Sequence, residues 1–220
     1  MRLLIVNADD LGYDPEIDRG ILEAHGNGIV TSATAMVDTP FAAAALRAAP
    51  PSLGVGLHVV LPGAVAAEAI AAEIRRQIAL FARWRGGPPT HLDSHRHAHA
   101  GPGALAAFAE VAAESGLPLR ALDAGMRAAL RARSVRTSDS FLGDADLRPC
   151  WTLPRLVAAL EALAGSEGTT ELMAHPGYAP RQARTSFGAE REVELRALCH
   201  PAAREAVARA GARLVSWASG

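Results

Sequence analysis

The chain has 220 residues, 50% of them hydrophobic and 20% charged, with a formal net charge of -1. This is the composition of an ordinary globular protein, and it leaves no basic footprint for nucleic acid or for an anionic membrane surface. No stretch approaches the roughly 20 apolar residues of a membrane helix, and the apolar run Leu3–Val6 is too short for a secretory signal, so a cytoplasmic protein without membrane insertion is expected.

The pattern alternates between strand and helix from the first residues on. LLIVN (3–7) reads as a buried strand. Asp14 then supplies an N-cap, Pro15 the first helical position and Gly28 the stop of a helix. ATAMV (33–37), GVGLHVVL (54–61) and THLDSH (90–95) read as strands, and helices fill 41–49 and 66–84 between them. THLDSH should run into a polar loop, followed by a helix at 103–116 and a short strand, LPLRAL (117–122). Region 121–150 is irregular, its Arg-rich part reading as a solvated helix face. A helix at 152–165, a strand TTELMAH (169–175), a helical stretch 189–211 broken at Pro201, and a strand ARLVSWA (212–218) complete the chain. Repeated βα units with short apolar strands predict a parallel sheet covered by helices, and seven or eight strands in this length predict one closed or nearly closed barrel spanning 1–220.

Cys150 and Cys199 belong to no CxxC pair and are expected as buried free thiols. The chemistry lies elsewhere, at the ends of the strands. The first ends in Asp9–Asp10, the third carries His58, the fourth ends in HLDSHRHAH (91–99) and a late one ends in AHPGY (174–178). In parallel α/β folds the strand C-termini share one face, so these residues should converge. Alone, His58 would read as a core histidine and the Asp pair as a turn or cap. Five ionisable groups between His91 and His99 are harder to bury without partners.

One carboxylate and two imidazoles make a site for a divalent ion with positions left open for water and substrate. Asp10, His58 and one histidine of the cluster supply that set, and Asp9 beside them can act as general base on an acidified water. His91, Asp93, His95, His97 and His99 share one parity, which on an extended chain points them to one side. Residues on one side of a strand are about 6.6 Å apart, so one or two would bind and the rest would orient ligands or meet substrate. His25 and His200 lie on helices and read as structural.

At these residues the chain resembles the YdjC-like carbohydrate deacetylases, a family that includes chitooligosaccharide deacetylases and a hopanoid-biosynthesis-associated member. The matching segments are LLIVNADDLG, GILEAHGNGIVTSATAMV, PSLGVGLHVVL, PTHLDSHRHAH, AHPGY and REVELRAL, together running from position 3 to 198. The resemblance implies a single-domain distorted (β/α) barrel of about seven parallel strands, related to polysaccharide deacetylases. It implies metal-dependent hydrolysis of the N-acetyl group of an amino sugar, on an oligosaccharide or glycolipid, with release of acetate. It further implies Asp10, His58 and His95 as metal ligands, Asp9 as general base and His175 as the acid that protonates the leaving amine. Asp93, His97 and His99 take second-rank roles around the ligands or on the substrate. The family's metal is Mg²⁺, although the ligand set equally suits Zn²⁺ or another transition metal. A homodimer is the assembly the resemblance suggests.

One departure stands out. HVVLPGAVAAEAI (58–70) passes almost at once into helix, where family members carry some tens of further residues. Loops at this face shape substrate access, so the shortening puts the substrate in question. It also motivates the alternative of a non-catalytic sugar- or metal-binding relative. Arg96 could meet an anionic group of the substrate or simply face solvent. A phosphoesterase or amidohydrolase on a similar barrel would place an HxH pair on the first strand, and an aspartyl-phosphate enzyme would need DxD; the first strand here ends in NADD.

Overall fold

The computed structural model describes residues 1–62, 67–101, 103–143 and 150–219. Its centre is β1 (Arg2–Leu11), a ten-residue strand buried from Leu4 onward. β1 pairs in parallel with β6 (Gly168–Ala174) from Arg2 to Ala8, with β2 (Ser32–Ala35) along its second half, and with β7 (Ala212–Leu214) at its first residues. β3 (Gly54–Val59) and β4 (Leu92–Ser94) extend one flank and β5 (Ser140–Leu142) the other, giving the parallel order β4-β3-β2-β1-β6-β5 with β7 beside β1.

Alternation decides what each face holds. Leu4, Val6 and Ala8 join the apolar core, while Leu3 and Ile5 line a cavity on the other face, where Asn7 and Asp9 carry the polar contacts. Packed around the sheet are α1 (Pro15–Asn27), α2 (Ala42–Ala48), α3 (Ala67–Arg85), α4 (Ala104–Ser115), α5 (Ala124–Arg131), α6 (Leu153–Ala162), α7 (Ala189–Cys199) and α8 (Pro201–Arg209). Asp14 caps α1, accepting from Glu16 N–H at 2.9 Å, with Pro15 in the first turn and Gly28 at the end. The predicted break at Pro201 separates α7 from α8, and His200 caps α8. Among the described residues no helix is long and apolar enough to cross a membrane.

Among the described residues the sheet is a parallel half-barrel of seven strands whose ends are β4 and β5. Irregular backbone spans the gap between them. Leu92 N–H donates to Pro118 O and Arg120 N–H to Leu92 O, while Leu119 N–H donates to Arg136 O. LPLRAL is therefore not a strand, because Pro118 has no N–H to offer and Leu119 makes only an isolated bridge to Leu92. The bridge nevertheless sets Arg120 into the barrel interior, where it is wholly buried. β5, which the sequence pattern does not disclose, is three residues long, too short to show a period of two. Cys150 and Cys199 are free thiols, half-buried rather than buried, since one precedes α6 and the other ends α7.

Helix α1 meets the segment after β6 glycine against glycine. A Cβ added to Gly20 would lie 2.5 Å from Gly177 Cα. This close approach fixes where His175–Tyr178 passes over the strand ends. Gly20→Ala is expected to destabilise the fold by about 1–3 kcal/mol through overpacking, read as a lower urea midpoint at unchanged slope.

Candidate active site

Successive residues of a regular strand point to opposite faces, yet Asp9 and Asp10 both reach the same site. The reason is a break in β1: its register with β2 shifts between Ala8 and Leu11, and Asp10 takes a left-handed backbone with φ 75°. The irregularity turns Asp10 inward beside Asp9, and both side chains are buried.

Asp10 Oδ1 faces two imidazoles, His58 Nε2 at 3.4 Å and His95 Nδ1 at 3.4 Å. It has no hydrogen-bond partner among the described residues. The other oxygen, Oδ2, accepts from Arg191 Nη2 at 2.5 Å. His58 stands opposite Asp93 in the β3–β4 register, and its Nδ1 meets Asp93 Oδ1 at 2.7 Å. That bond fixes the ring and leaves Nε2 directed at Asp10, the arrangement in which a carboxylate orients a metal-ligating histidine. Burial disfavours charge on His58, but the Asp93 carboxylate outweighs it and raises the imidazole to about 9. One ligand atom each from Asp10, His58 and His95 lies within 4.8 Å of the others. A buried carboxylate oxygen without a partner, facing two ring nitrogens, fits a small divalent cation.

Asp9 is held differently. Arg120 grips both its oxygens, Nη1 to Oδ2 at 2.7 Å and Nη2 to Oδ1 at 2.8 Å, and Asn7 Nδ2 adds a bond to Oδ1 at 2.8 Å. The same guanidinium reaches Asp93 Oδ2 at 2.9 Å and Glu171 Oε1 at 2.8 Å. Burial would raise the Asp9 carboxyl, but the Arg120 charge overrides it and holds the group far below the usual carboxylate range. Asp10 is likewise kept ionised against burial, by Arg191. Asp9, His58 and Asp93 also cluster closely enough for a cation, but Arg120 already supplies the positive charge there.

The histidine cluster does not run extended. β4 stops at Ser94, and His95–Ala100 forms a 3₁₀ turn in which Arg96 and His97 take φ 53° and 52°. The shared-parity expectation fails for that reason, and the imidazoles separate. His95 faces Asp10. His97 lines the same cavity, with neither ring nitrogen partnered among the described residues. His99 bonds Ser94 Oγ at 2.6 Å, packs on Phe108 and does not line the cavity. His91 bonds Thr90 Oγ1 and Asn7 Oδ1 and stacks on Trp217, a structural role. Burial pushes His91 and His99 to about 3 and His97 to about 4, so all three are neutral. Arg96 is exposed on the cavity rim.

The cavity has a volume of about 390 Å³ and takes in Asp9, Asp10, His58, His95 and His175. His175 follows β6, its backbone N–H donating to Glu194 Oε2 at 2.6 Å and its ring tilted against Phe187. A larger cavity, about 480 Å³, opens at the other end of β1 around Leu3, Ile5 and Trp217, away from these carboxylates and imidazoles. Sequence reasoning missed Arg120, Arg191, Glu171 and Glu194. Arg120 and Glu171 could have been suspected as charges inside LPLRAL and TTELMAH; Arg191 and Glu194 lie in REVELRAL, a segment that carried the family resemblance, but one charge among several in a helix gave no hint of its partner.

The architecture is that of the polysaccharide-deacetylase barrels. An acetyl xylan esterase from Clostridium thermocellum, determined with a cobalt ion, superposes with a TM-score of 0.59 at 15% identity, covering 99% of this chain and 89% of that one. A far nearer fit is an Enterococcus faecalis V583 protein provisionally named for cellobiose-phosphate cleavage, with a TM-score of 0.88, 27% identity and coverage of 99% and 98%. The family model described as YdjC-like protein matches residues 3–66 and 62–209. A carbohydrate deacetylase of Geobacillus stearothermophilus is 33% identical over 244 aligned positions, covering 98% of this chain and 97% of the relative. A chitooligosaccharide deacetylase of Serratia marcescens is 33% identical over 253, covering 98% of each. The chain belongs to the YdjC-like family. The two stretches of the family match meet at 62–66, where the shortening after His58 is expected, and the alignments are longer than this 220-residue chain. Residues 63–66 themselves lie outside the described ones.

Glu171 offers a test of the buried charge network. Burial pushes its carboxyl up to about 7 despite Arg120. A carboxyl raised on folding favours the native state at low pH, and that contribution fades as pH rises from the unfolded value through the folded one. Wild type should therefore lose about 2 kcal/mol relative to Glu171→Gln between pH 5 and pH 8, measured by urea unfolding of both proteins across that range.

Proposed function

We propose that this protein is a metal-dependent carbohydrate N-deacetylase, hydrolysing the acetamido group of an amino sugar to the free amine and acetate. The observation that carries the reading is the partnerless Asp10 Oδ1 facing two ring nitrogens, next to an ionised Asp9 in one cavity. The relatives named as carbohydrate and chitooligosaccharide deacetylases support it. Asp10, His58 and His95 would hold the cation, with Mg²⁺ proposed from family membership. When bound, it would polarise the acyl oxygen and acidify a water.

The chain's own residues do the rest. Asp9, immobilised by Arg120 and Asn7, takes the proton of the attacking water. His175, on the cavity wall, delivers a proton to the departing nitrogen. Asp93 keeps His58 Nε2 turned to the cation site. His97 meets the substrate from the cavity side, and His99 supports the turn through Ser94. We place the activity in the cytoplasm, carried by the whole chain as one domain. The shortened segment favours a substrate different from those of longer relatives over a loss of catalysis, because a binding module has no need of an ionised carboxylate beside its cation site.

The test is acetate release from N-acetylglucosamine and diacetylchitobiose by chelator-stripped protein resupplied with Mg²⁺, Zn²⁺, Mn²⁺, Co²⁺ or Ni²⁺. Metal-dependent acetate is expected, and its absence with metal bound would count against the reading. His58→Ala and His95→Ala should lose bound metal and activity together, by metal analysis and acetate assay. Asp9→Asn should keep the metal and lose about 10²–10⁴ in rate; loss of the metal instead would reassign the two aspartates.

A further inference from the structure

Asp14 uses its two carboxylate oxygens for two different segments. Oδ1 caps α1 through Glu16 N–H. Oδ2 accepts three successive backbone N–H groups, from Arg181 at 3.1 Å, Gln182 at 2.7 Å and Ala183 at 2.9 Å. The side chain is wholly buried. One residue earlier, the Tyr13 hydroxyl donates to Arg184 O at 2.7 Å, and the Tyr13 ring tilts against His95. Four consecutive backbone groups, 181–184, are thus tied to the turn that follows β1.

The segment so held carries the cavity wall. Arg184, Thr185, Ser186 and Phe187 line the same cavity as His58 and His95. Phe187 packs on His175, and its carbonyl accepts from Arg191 Nε at 2.8 Å. Residues 179–187 form neither helix nor strand, so no ladder of their own fixes them. Tyr13 and Asp14 hold them at one end and Arg191 at the other, with longer contacts from Ala179 N–H to Glu192 Oε1 at 3.4 Å and from Arg181 Nε to Glu16 Oε1 at 3.5 Å. A carboxylate is well suited to such a clamp, because three converging N–H dipoles favour an ionised acceptor and charge-assisted bonds are stronger than neutral ones.

We propose that Asp14 and Tyr13 are positioning residues for substrate selection, clamping 181–184 so that Arg184–Phe187 stand as the sugar-binding wall of the cavity. This rests on the deacetylase reading for the nature of the ligand. Asp14 does not line the cavity, whereas Tyr13 does, so Asp14 is the member of the pair that acts through the loop alone.

Asp14→Ser keeps a good N-cap for α1 and removes the clamp; Asp14→Asn retains one acceptor oxygen; Tyr13→Phe removes the hydroxyl that bonds Arg184 O, on a ring that itself lines the cavity. In the metal-loaded full chain, amide exchange at 181–183 should quicken at least about tenfold in Asp14→Ser, less in Asp14→Asn. KM for diacetylchitobiose should rise about tenfold with kcat within about twofold, and Tyr13→Phe should move KM the same way by less. Diacetylchitobiose should also slow exchange at 184–187 in wild type and not in Asp14→Ser. Unchanged exchange in Asp14→Ser would show that there is no clamp. Faster exchange with unchanged KM and unchanged sugar protection would show that the wall does not meet substrate. A fall in kcat alone, or loss of metal, would place Asp14 in the chemistry. Should wild type release no acetate from any sugar, the deacetylase reading falls, and sugar protection at 184–187 alone decides the wall: its presence sustains the inference and its absence overturns it.

Discussion

A single guanidinium buried in the barrel sets the terms for everything around it. Arg120 is inaccessible to solvent and pairs with Asp9, Asp93 and Glu171. A charge removed from water on this scale is tolerated only when paired and hydrogen-bonded, and each partner depends on it in turn. Without Arg120 two ionised carboxylates, Asp9 and Asp93, would face each other through Thr34, which bonds Asp93 Oδ2 at 2.9 Å. The fold places this arginine with no strand of its own. The bridge from Leu119 to β4 and the bond to Arg136 hold it in the gap between β4 and β5, so the opening of the half-barrel and the centre of its charge network are the same place.

From that centre the order propagates to the strand ends. Asp93 fixes His58, and Asn7 links Asp9 to His91, which stacks on Trp217 near the chain's last described residues. The polar interior is thus one connected set, in which loss of a member strands its neighbours. Left-handed backbones, uncommon for residues other than glycine, are concentrated at the site, at Asp10, Arg96 and His97, with Ser134 the further case among the described residues. Such conformations persist where surrounding structure over-determines them. At the site that structure is β1 on one side and the Ser94–His99 turn on the other, which Ser94 Oγ closes by accepting from His99 N–H at 2.9 Å.

The strand–helix alternation was legible in the sequence because each long element carried its own period and its own caps, as at Asp14, Pro15 and Gly28. The convergence of Asp9, Asp10, His58, His95 and His175 was legible because parallel strands deliver their C-termini to one face. What could not be read was anything that depends on partners distant in sequence. Arg120 meets Asp9 across 111 positions and Arg191 meets Asp10 across 181, and no local pattern encodes such pairs. The parity of 91–99 misled for a related reason. Parity holds only while the chain stays extended, and two left-handed residues end that at Arg96.

The adjacent aspartates differ in their counter-charges, and the roles proposed for them follow from that difference and not from their order in the chain. Both are buried, both are ionised, and each has its own arginine. Arg120 engages both oxygens of Asp9 and leaves it no oxygen free of guanidinium. Arg191 engages only Oδ2 of Asp10, so Oδ1 stays bare and faces His58 and His95. On the proposed function, the cation would take the oxygen that no guanidinium holds, which is on Asp10. A proton is small enough to be accepted by a carboxylate that keeps its guanidinium, so on the same proposal the base would be Asp9. The bulge that turns two consecutive side chains to one face would give two equivalent acids; the unequal reach of two arginines makes them different.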